Sequence, residues 1–258
     1  MSLKNKKILI TAGPTWVSID TVRVISNTAT GATGILLAEK LRKLDAKVTL
    51  LLGPVPNVVF LRSVSSGSRA EVSASRRDTS TSNYIRERDT EAKTTLGIET
   101  CCLNKKIKLI HFRFFDELRR IIIKELTTKK YDIVIQTAAV ADYRPQRSFK
   151  QKVKSGIKQW RLNLIPIPKI IDSIKKIDNN LFLVGFKFES KVPPKILIDK
   201  ARSLMNGAKL DLVVANTISK DRYLAYIVNQ NKIIGPLENK DALADKLINL
   251  IGETVWRS

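Results

Sequence analysis

Residues 27–34, Asn-Thr-Ala-Thr-Gly-Ala-Thr-Gly, gather an amide, three hydroxyls and two glycines immediately ahead of a helix-forming run, Ile35, Leu36, Ala38, Glu39 and Leu41. Small residues at a helix start let backbone N–H groups close on an anion, and the helix dipole favours negative charge there. Upstream, the apolar run Ile8 to Thr11 reads as a buried strand, broken by the turn Ala12-Gly13-Pro14-Thr15. A strand, a glycine turn and a glycine-rich helix start suit a phosphate-bearing ligand at the carboxyl ends of a parallel sheet. The spacing is not the dinucleotide fingerprint, because Gly13 stands alone and the later pair is Gly31-x-x-Gly34. It is not a P-loop, because no Gly-Lys-Ser/Thr follows. From composition alone, an ordinary strand–helix loop with turn glycines accounts for the pattern equally well.

The elements that must position these residues alternate along the chain. Lys47-Val-Thr-Leu-Leu-Leu-Gly is a second buried strand, which completes a βαβ unit. Further strands are read at Ile107–Phe112, Asp132–Val140, Leu181–Phe186 and Asp211–Asn216, and helices at Phe115–Leu126, Lys195–Met205 and Ala242–Ile251. The fold class expected is α/β, a doubly wound, Rossmann-like, mostly parallel sheet with helices on both faces. One domain spans residues 1–258, interrupted by residues 61–104, whose Ser/Thr/Arg-rich, aperiodic composition reads as a disordered insertion.

Composition narrows the function classes. With 258 residues and 43% hydrophobic content the chain can fill a substantial core, and it has no apolar run of membrane-span length. No secretory signal precedes the first strand, so a cytoplasmic location is expected. Cys101 and Cys102 are adjacent, which suits neither a disulfide framework nor a metal site. His111 is the sole histidine, expected to pack at a strand end, so a His-based triad or His-rich metal centre is excluded. The balance of 46 Lys+Arg against 24 Asp+Glu gives a net +22, which raises nucleic acid as a partner. The lysines are spread rather than massed in one stripe, and no RNA-binding aromatic motif occurs. A polyanionic small substrate is the preferred reading and a basic nucleic-acid-binding protein the alternative.

Ile10-Thr-Ala-Gly-Pro-Thr15, Ile19-Asp-x-Val-Arg-x-Ile-Ser-Asn27, Ala138-Ala-Val-Ala-Asp-Tyr-Arg-Pro145, Val184-Gly-Phe186 and Leu210-Asp-Leu-Val-Val-Ala-Asn216 occur in the order seen in phosphopantothenate–cysteine ligases. The chain resembles the bacterial CTP-using branch of that family throughout, except for the Ser/Arg-rich insertion and the final helix. The resemblance implies a stand-alone ligase of coenzyme A synthesis, commonly a homodimer, with the flavin-dependent decarboxylase as a separate partner. The implied reaction takes 4′-phosphopantothenate, L-cysteine and CTP. The carboxylate attacks the CTP α-phosphate, pyrophosphate leaves, and the cysteine amine displaces CMP from the acyl–cytidylate. Mg²⁺ would ride on the nucleotide phosphates, and no dedicated metal ligands are expected.

Roles are carried over by the same resemblance. Gly13, Thr30, Gly31 and Gly34 match positions that hold the triphosphate. Asn27 matches the asparagine that contacts substrate and acyl–cytidylate, with its amide expected to donate, and Arg23 can grip phosphate or carboxylate. Gln136, Thr137 and Ala138 match the cytosine-side segment and Asp142 its acidic nucleotide ligand. Lys152 matches the first lysine of a flap that closes on the phosphates. Pro168, Lys169, Ile170 and Ile171 occupy the place of a nucleotide-side turn, and Phe186 that of a phenylalanine beside the base. The chain also departs from the pattern. Ala32-Thr33 stand where Lys-Met is usual, Leu204 and Ala208 replace two helix lysines, and a loop after Asn216 is shortened. A degenerate family member that binds without turnover is therefore a further reading.

Overall fold

The computed structural model describes residues 3–55, 107–219 and 222–255. The expected insertion at 61–104 lies outside them, as do Cys101 and Cys102. Strand β1 (Lys7–Ala12) leads through a hairpin of β2 (Trp16–Ser18) and β3 (Val24–Ser26) into helix α1 (Ala32–Lys43) and β4 (Lys47–Leu52). Then come β5 (Lys108–His111), α2 (Phe115–Thr128) and β6 (Ile133–Gln136). A ribbon of β7 (Tyr143–Pro145) and β8 (Leu164–Pro166) precedes α3 (Ile171–Ile177) and β9 (Phe182–Phe188). Helix α4 (Pro194–Ala208), strands β10 (Leu212–Ser219), β11 (Arg222–Val228) and β12 (Ile233–Leu237), and helix α5 (Lys240–Val255) follow.

Eight strands form one sheet in the order β12-β11-β10-β9-β6-β1-β4-β5. From β5 to β10 all neighbours run parallel, while β11 and β12 are antiparallel. The expected mostly parallel, doubly wound class is what is observed. The alternation of strand and helix is nevertheless broken at the β10–β11–β12 meander and by the two small ribbons, which carry too little apolar periodicity to stand out in the sequence. The shortened stretch after Asn216 is part of the β10–β11 pairing, with Thr217 opposite Leu224.

The central strands are apolar on both faces because helices cover both. Ile8, Leu9, Ile10, Leu50 and Leu51 are fully buried. Helix α2 presents Phe115, Leu118, Ile122 and Leu126 at helical spacing to the core. Its start is satisfied by the Glu117 carboxylate, which accepts the N–H groups of Arg113 and Phe114. Two aspartates that precede strands play a similar part at the sheet's amino edge. Asp132 accepts the Lys7 N–H at 2.7 Å and Asp211 the Leu183 N–H at 2.7 Å. His111 ends β5 as expected, but its side chain is exposed rather than packed.

From β1 the chain steps outward to β4 and β5, then returns to lay β6 on the other side of β1. The strand order reverses between β1 and β6, and in open α/β sheets the crevice at such a point is where ligands bind.

Candidate active site at the β1/β6 switch point

Beyond the ends of β1 and β6 the two loops are laced together. Gly13 O accepts the Ala139 N–H at 3.0 Å and Thr15 N–H donates to Ala139 O at 3.2 Å. Three threonine hydroxyls extend the lacing where the ladder has ended. Thr137 Oγ1 donates to Thr11 O at 2.5 Å, Thr11 Oγ1 accepts the Ala138 N–H at 3.2 Å, and Thr15 Oγ1 accepts the Ala141 N–H at 2.9 Å. Thr11 and Thr15 are fully buried. The Thr11 and Thr15 hydroxyls satisfy N–H groups left over where the ladder ends, and Thr137 adds its hydroxyl to a Thr11 O that already accepts the Thr137 N–H at 3.1 Å, so residues 137–141 are tied down as one strip. Sequence reasoning did not single out Thr11 or Thr15; their only local signal is a hydroxyl at a strand end beside a glycine turn.

The start of α1 lies against this strip. Gly13 and Gly31 both hold left-handed φ, 82° and 72°, as the tight turns demand. They also pack on each other: a Cβ on Gly31 would stand 3.2 Å from the Gly13 nitrogen. A Cβ on Gly34 would lie 2.5 Å from Thr137 Oγ1 and 2.6 Å from Ala12 Cβ, so the glycine is what lets the helix touch the strand. Gly31 caps α1 without a side-chain bond and the first turn holds no acidic residue. Thr30 Oγ1 is a distant acceptor for the Ala32 N–H at 3.4 Å. The N–H end of α1 is thus left with its positive pole unanswered, which suits an anionic group.

Strand alternation sorts the remaining expected residues between the two faces. Thr11, Gln136 and Gly185 are in register and share a face. The missing Gly185 Cβ would meet Leu210 and Ile171, so α3 covers that face. Phe186, one residue on, is half-buried on the face of α1, the same side as Thr137. The structure therefore brings together Gly13, Gly31, Gly34 and Thr137 and sets Phe186 on the same face, while Ala138 joins through its N–H to Thr11 and packs its side chain on the core of the other face. Gln136 points the other way. It is 5% exposed, and its Oε1 has no partner among the described residues. Ile170 is buried in the core and Ile171 packs at Gly185, so their side chains hold α3 to the sheet. Pro168 and Lys169 are exposed, as is Asp142, whose backbone O receives the Ile167 N–H at 3.0 Å.

Asn27 joins the strip from the hairpin. Its Nδ2 donates to Ala139 O at 3.0 Å and Val140 O at 3.3 Å. The amide nitrogen is turned to these backbone carbonyls, so the atom Asn27 offers is Oδ1, an acceptor. This corrects the expectation that its amide donates. Arg23 is likewise committed at one end: Nη1 bonds Asp20 at 2.5 Å and Val153 O at 3.2 Å, and its guanidinium sits 5.3 Å from the Trp160 ring centre. Only its other nitrogens are available for a phosphate or carboxylate. Lys152 is exposed on the loop that joins β7 to β8.

Leu204 is half-buried against the core and Ala208 is 5% exposed within it. Lys200 is paired with Glu189 at 2.8 Å, and Lys209 ends α4 in a left-handed conformation. Helix α4 thus turns packing groups, not cations, toward the sheet at these positions. A cavity of about 900 Å³ lies elsewhere: Lys7, Lys47 and Lys108 in its lining start β1, β4 and β5, so it opens at the amino edge, opposite the switch point. Among the described residues no three His, Cys, Asp or Glu side chains cluster as a metal site, and no helix is long and apolar enough to cross a membrane.

Comparisons with known proteins identify the relatives of the chain. The coenzyme A biosynthesis bifunctional protein CoaBC of Thermococcus kodakarensis is 33% identical over 217 residues, covering 84% of this chain and 42% of that protein. The chain spans about half the length of the curated relatives it matches. The crystal structure of the DNA/pantothenate metabolism flavoprotein from Streptococcus pneumoniae superposes with a TM-score of 0.70 at 22% identity, covering 96% of this chain and 99% of that one. A mutant of Cab2 in complex with phosphopantothenate-cysteine gives a TM-score of 0.70 at 20% identity, covering 98% and 87%. These two likenesses establish the fold. The sequence profile of the DNA/pantothenate metabolism flavoprotein C-terminal domain family matches residues 3–86 and 82–254, and the chain belongs to that family.

Proposed function

We propose that the chain is a ligase of coenzyme A biosynthesis that joins 4′-phosphopantothenate to L-cysteine, with CTP activating the carboxylate as an acyl–cytidylate. The observation that carries the reading is the laced strip at residues 137–141 beside the uncapped start of α1, with Asn27 tied to its carbonyls. Activation of a carboxylate by a triphosphate asks for charge neutralisation and positioning, not a covalent nucleophile. The strip supplies a rigid floor, the Gly31 helix start supplies N–H groups for phosphate oxygens, and Phe186 supplies an aromatic wall on the same face. Lys152 supplies a cation from the β7–β8 loop. Asn27 Oδ1 is placed to accept an N–H from substrate. Mg²⁺ would enter with the nucleotide, neutralising phosphate charge. That Cab2 was crystallised with phosphopantothenate-cysteine, and that the Thermococcus relative serves coenzyme A biosynthesis, support the same substrate class.

The test is pyrophosphate release with the purified chain, phosphopantothenate and either CTP or ATP, followed by cysteine. Release that needs phosphopantothenate, with amide product forming only once cysteine is added, is expected. Absence of release above background with either nucleotide would overturn the proposal.

A further inference from the structure

We propose that Asp20 is a positioning residue: its carboxylate latches the loop 146–163, and with it Lys152, onto the β2–β3 hairpin whose far end carries Asn27. The assignment rests on the proposed ligase function only for the purpose of the latch; the latch itself is read from geometry.

Asp20 divides its two oxygens between the hairpin and the loop. Oδ1 accepts the N–H groups of Val22 and Arg23, both at 2.8 Å, and so makes the hairpin turn. Oδ2 accepts Arg23 Nη1 at 2.5 Å and, from 133 residues away, the Val153 N–H at 3.1 Å. Arg23 Nη1 closes the circuit by donating to Val153 O at 3.2 Å. Val153 is thus gripped through both backbone groups by one ion pair, with Asp20 buried and Arg23 half-buried, and Lys152 is its immediate neighbour. A second tie, Phe149 N–H to Ile19 O at 2.9 Å, anchors the loop three residues before Lys152. Trp160 completes the clasp, with Arg23 against its ring and Phe149 edge-on at 5.9 Å.

The rest of the loop is short of other reasons to be ordered. It has no helix or strand, and Lys150, Lys152, Lys154 and Lys158 are all exposed. Like charges at this density repel, so without a local anion the loop would extend into solvent. Asp20 is that anion. Burial opposes its charge, but the N–H groups of Val22, Val153 and Arg23 and the guanidinium outweigh it and hold the carboxyl at about 2. The latch therefore stays charged throughout the neutral range.

The substitution Asp20→Asn separates the two halves. Its carbonyl can still accept from Val22 and Arg23 and keep the turn, while its NH₂ in place of Oδ2 faces two donors and releases the loop. Trypsin cleavage at Lys150, Lys154 and Lys158 is expected to quicken by about tenfold or more, the scale of losing a charge-assisted bond. Val153→Pro removes the single loop N–H that Asp20 accepts, leaves the hairpin untouched, and should give the same opening; it decides the matter if Asp20→Asn does not fold. Loop cleavage at the parent rate would overturn the latch. In pyrophosphate release, Asp20→Asn combined with Lys152→Gln is expected to fall within about twofold of Lys152→Gln alone, because Asp20 acts through Lys152. Independent, multiplicative losses would overturn the positioning role. A parent chain that releases no pyrophosphate would overturn the ligase proposal, and the cleavage rates would then decide the latch by themselves.

Discussion

Replacing Gly34 with Ala tests whether the site depends on the close approach of α1 to β1. The added Cβ would lie 2.5 Å from Thr137 Oγ1 and 2.6 Å from Ala12 Cβ. Comfortable carbon contacts lie near 3.5–4.0 Å, so the helix must withdraw by about 1 Å. Neither neighbour can give way easily, because Ala12 belongs to a buried strand and Thr137 Oγ1 is bonded to Thr11 O. Overpacking of this kind costs about 1–3 kcal/mol, and the helix propensity gained by Ala returns less than about 1 kcal/mol. For a net cost of about 1–2 kcal/mol, at about 2–4 °C per kcal/mol for a domain of this size, Tm should fall by roughly 2–8 °C. The larger effect falls on activity. A 1 Å displacement of a group that positions substrate can cost about 10²-fold, and here the Gly31 helix start is pushed away from Thr137. Gly207→Ala is the control: it lies in α4 with nothing within 4 Å of its added Cβ, so it should raise stability by about 0.5–1 kcal/mol and leave turnover alone. If calorimetry shows Gly34→Ala stabilising the protein as Gly207→Ala does, the close-approach argument is wrong.

Thr15→Val leaves the Ala141 N–H without its acceptor in a buried setting, which should cost about 1–3 kcal/mol and loosen the strip; hydrogen exchange at Ala141 reads it directly, and unchanged protection would contradict the lacing. Asn27→Asp sets a carboxylate against the Ala139 and Val140 carbonyls and should depress amide formation by about 10²–10³, more than it depresses pyrophosphate release; equal loss of both half-reactions would count against that division. CTP should exceed ATP in kcat/KM, with a high KM for either because α4 turns Leu204 and Ala208 into the core; comparable kcat/KM values would end the preference. Glu125 is buried, and desolvation opposes its charge, but Lys129, Tyr131 and Lys108 outweigh this and lower its pKa. A carboxyl depressed in the folded state stabilises above its unfolded value near 4.5 and loses that contribution as pH falls through its folded value. The Tm gap between parent and Glu125→Gln should therefore narrow from pH 6 to pH 3, and a constant gap would refute it.

How much of the fold the sequence discloses follows burial. Strands β1, β4 and β6 are covered on both faces, so they appear as unbroken apolar runs that no other element explains as well. The short strands β2, β3, β7 and β8 have three residues each and several exposed side chains, so they leave no period to read. Yet in the proposed ligase the chemistry falls to these ribbons, because Asn27 and Lys152 both depend on them. The glycines of the α1 start were legible as a possible anion cradle. Their real constraint, contact with Thr137 across the sheet, is tertiary and has no local signature. Ile170, Ile171 and Gln136 show the converse. Their place in the motif order put them with the nucleotide, but strand alternation sends Gln136 to the α3 face, where Ile170 and Ile171 pack in the core.

The departures from the resemblance acquire a physical meaning once α4 is seen in place. Lysines at 204 and 208 would have to carry their stems across the core surface that Leu204 and Ala208 now pack against. The helix has given those positions to burial, and Lys200 is occupied by Glu189. A triphosphate still needs cations, since its charge is not met by N–H groups at one helix start alone. The exposed lysines that accompany Asn27 in the motif order lie on the loop 146–163. A loop rich in like charges is a poor place to keep the cation that the proposed function asks of Lys152 unless something fixes it. The half-buried Asp20–Arg23 pair does so at the residue beside Lys152, and its reach of 133 residues explains why no reading of local spacing could find it.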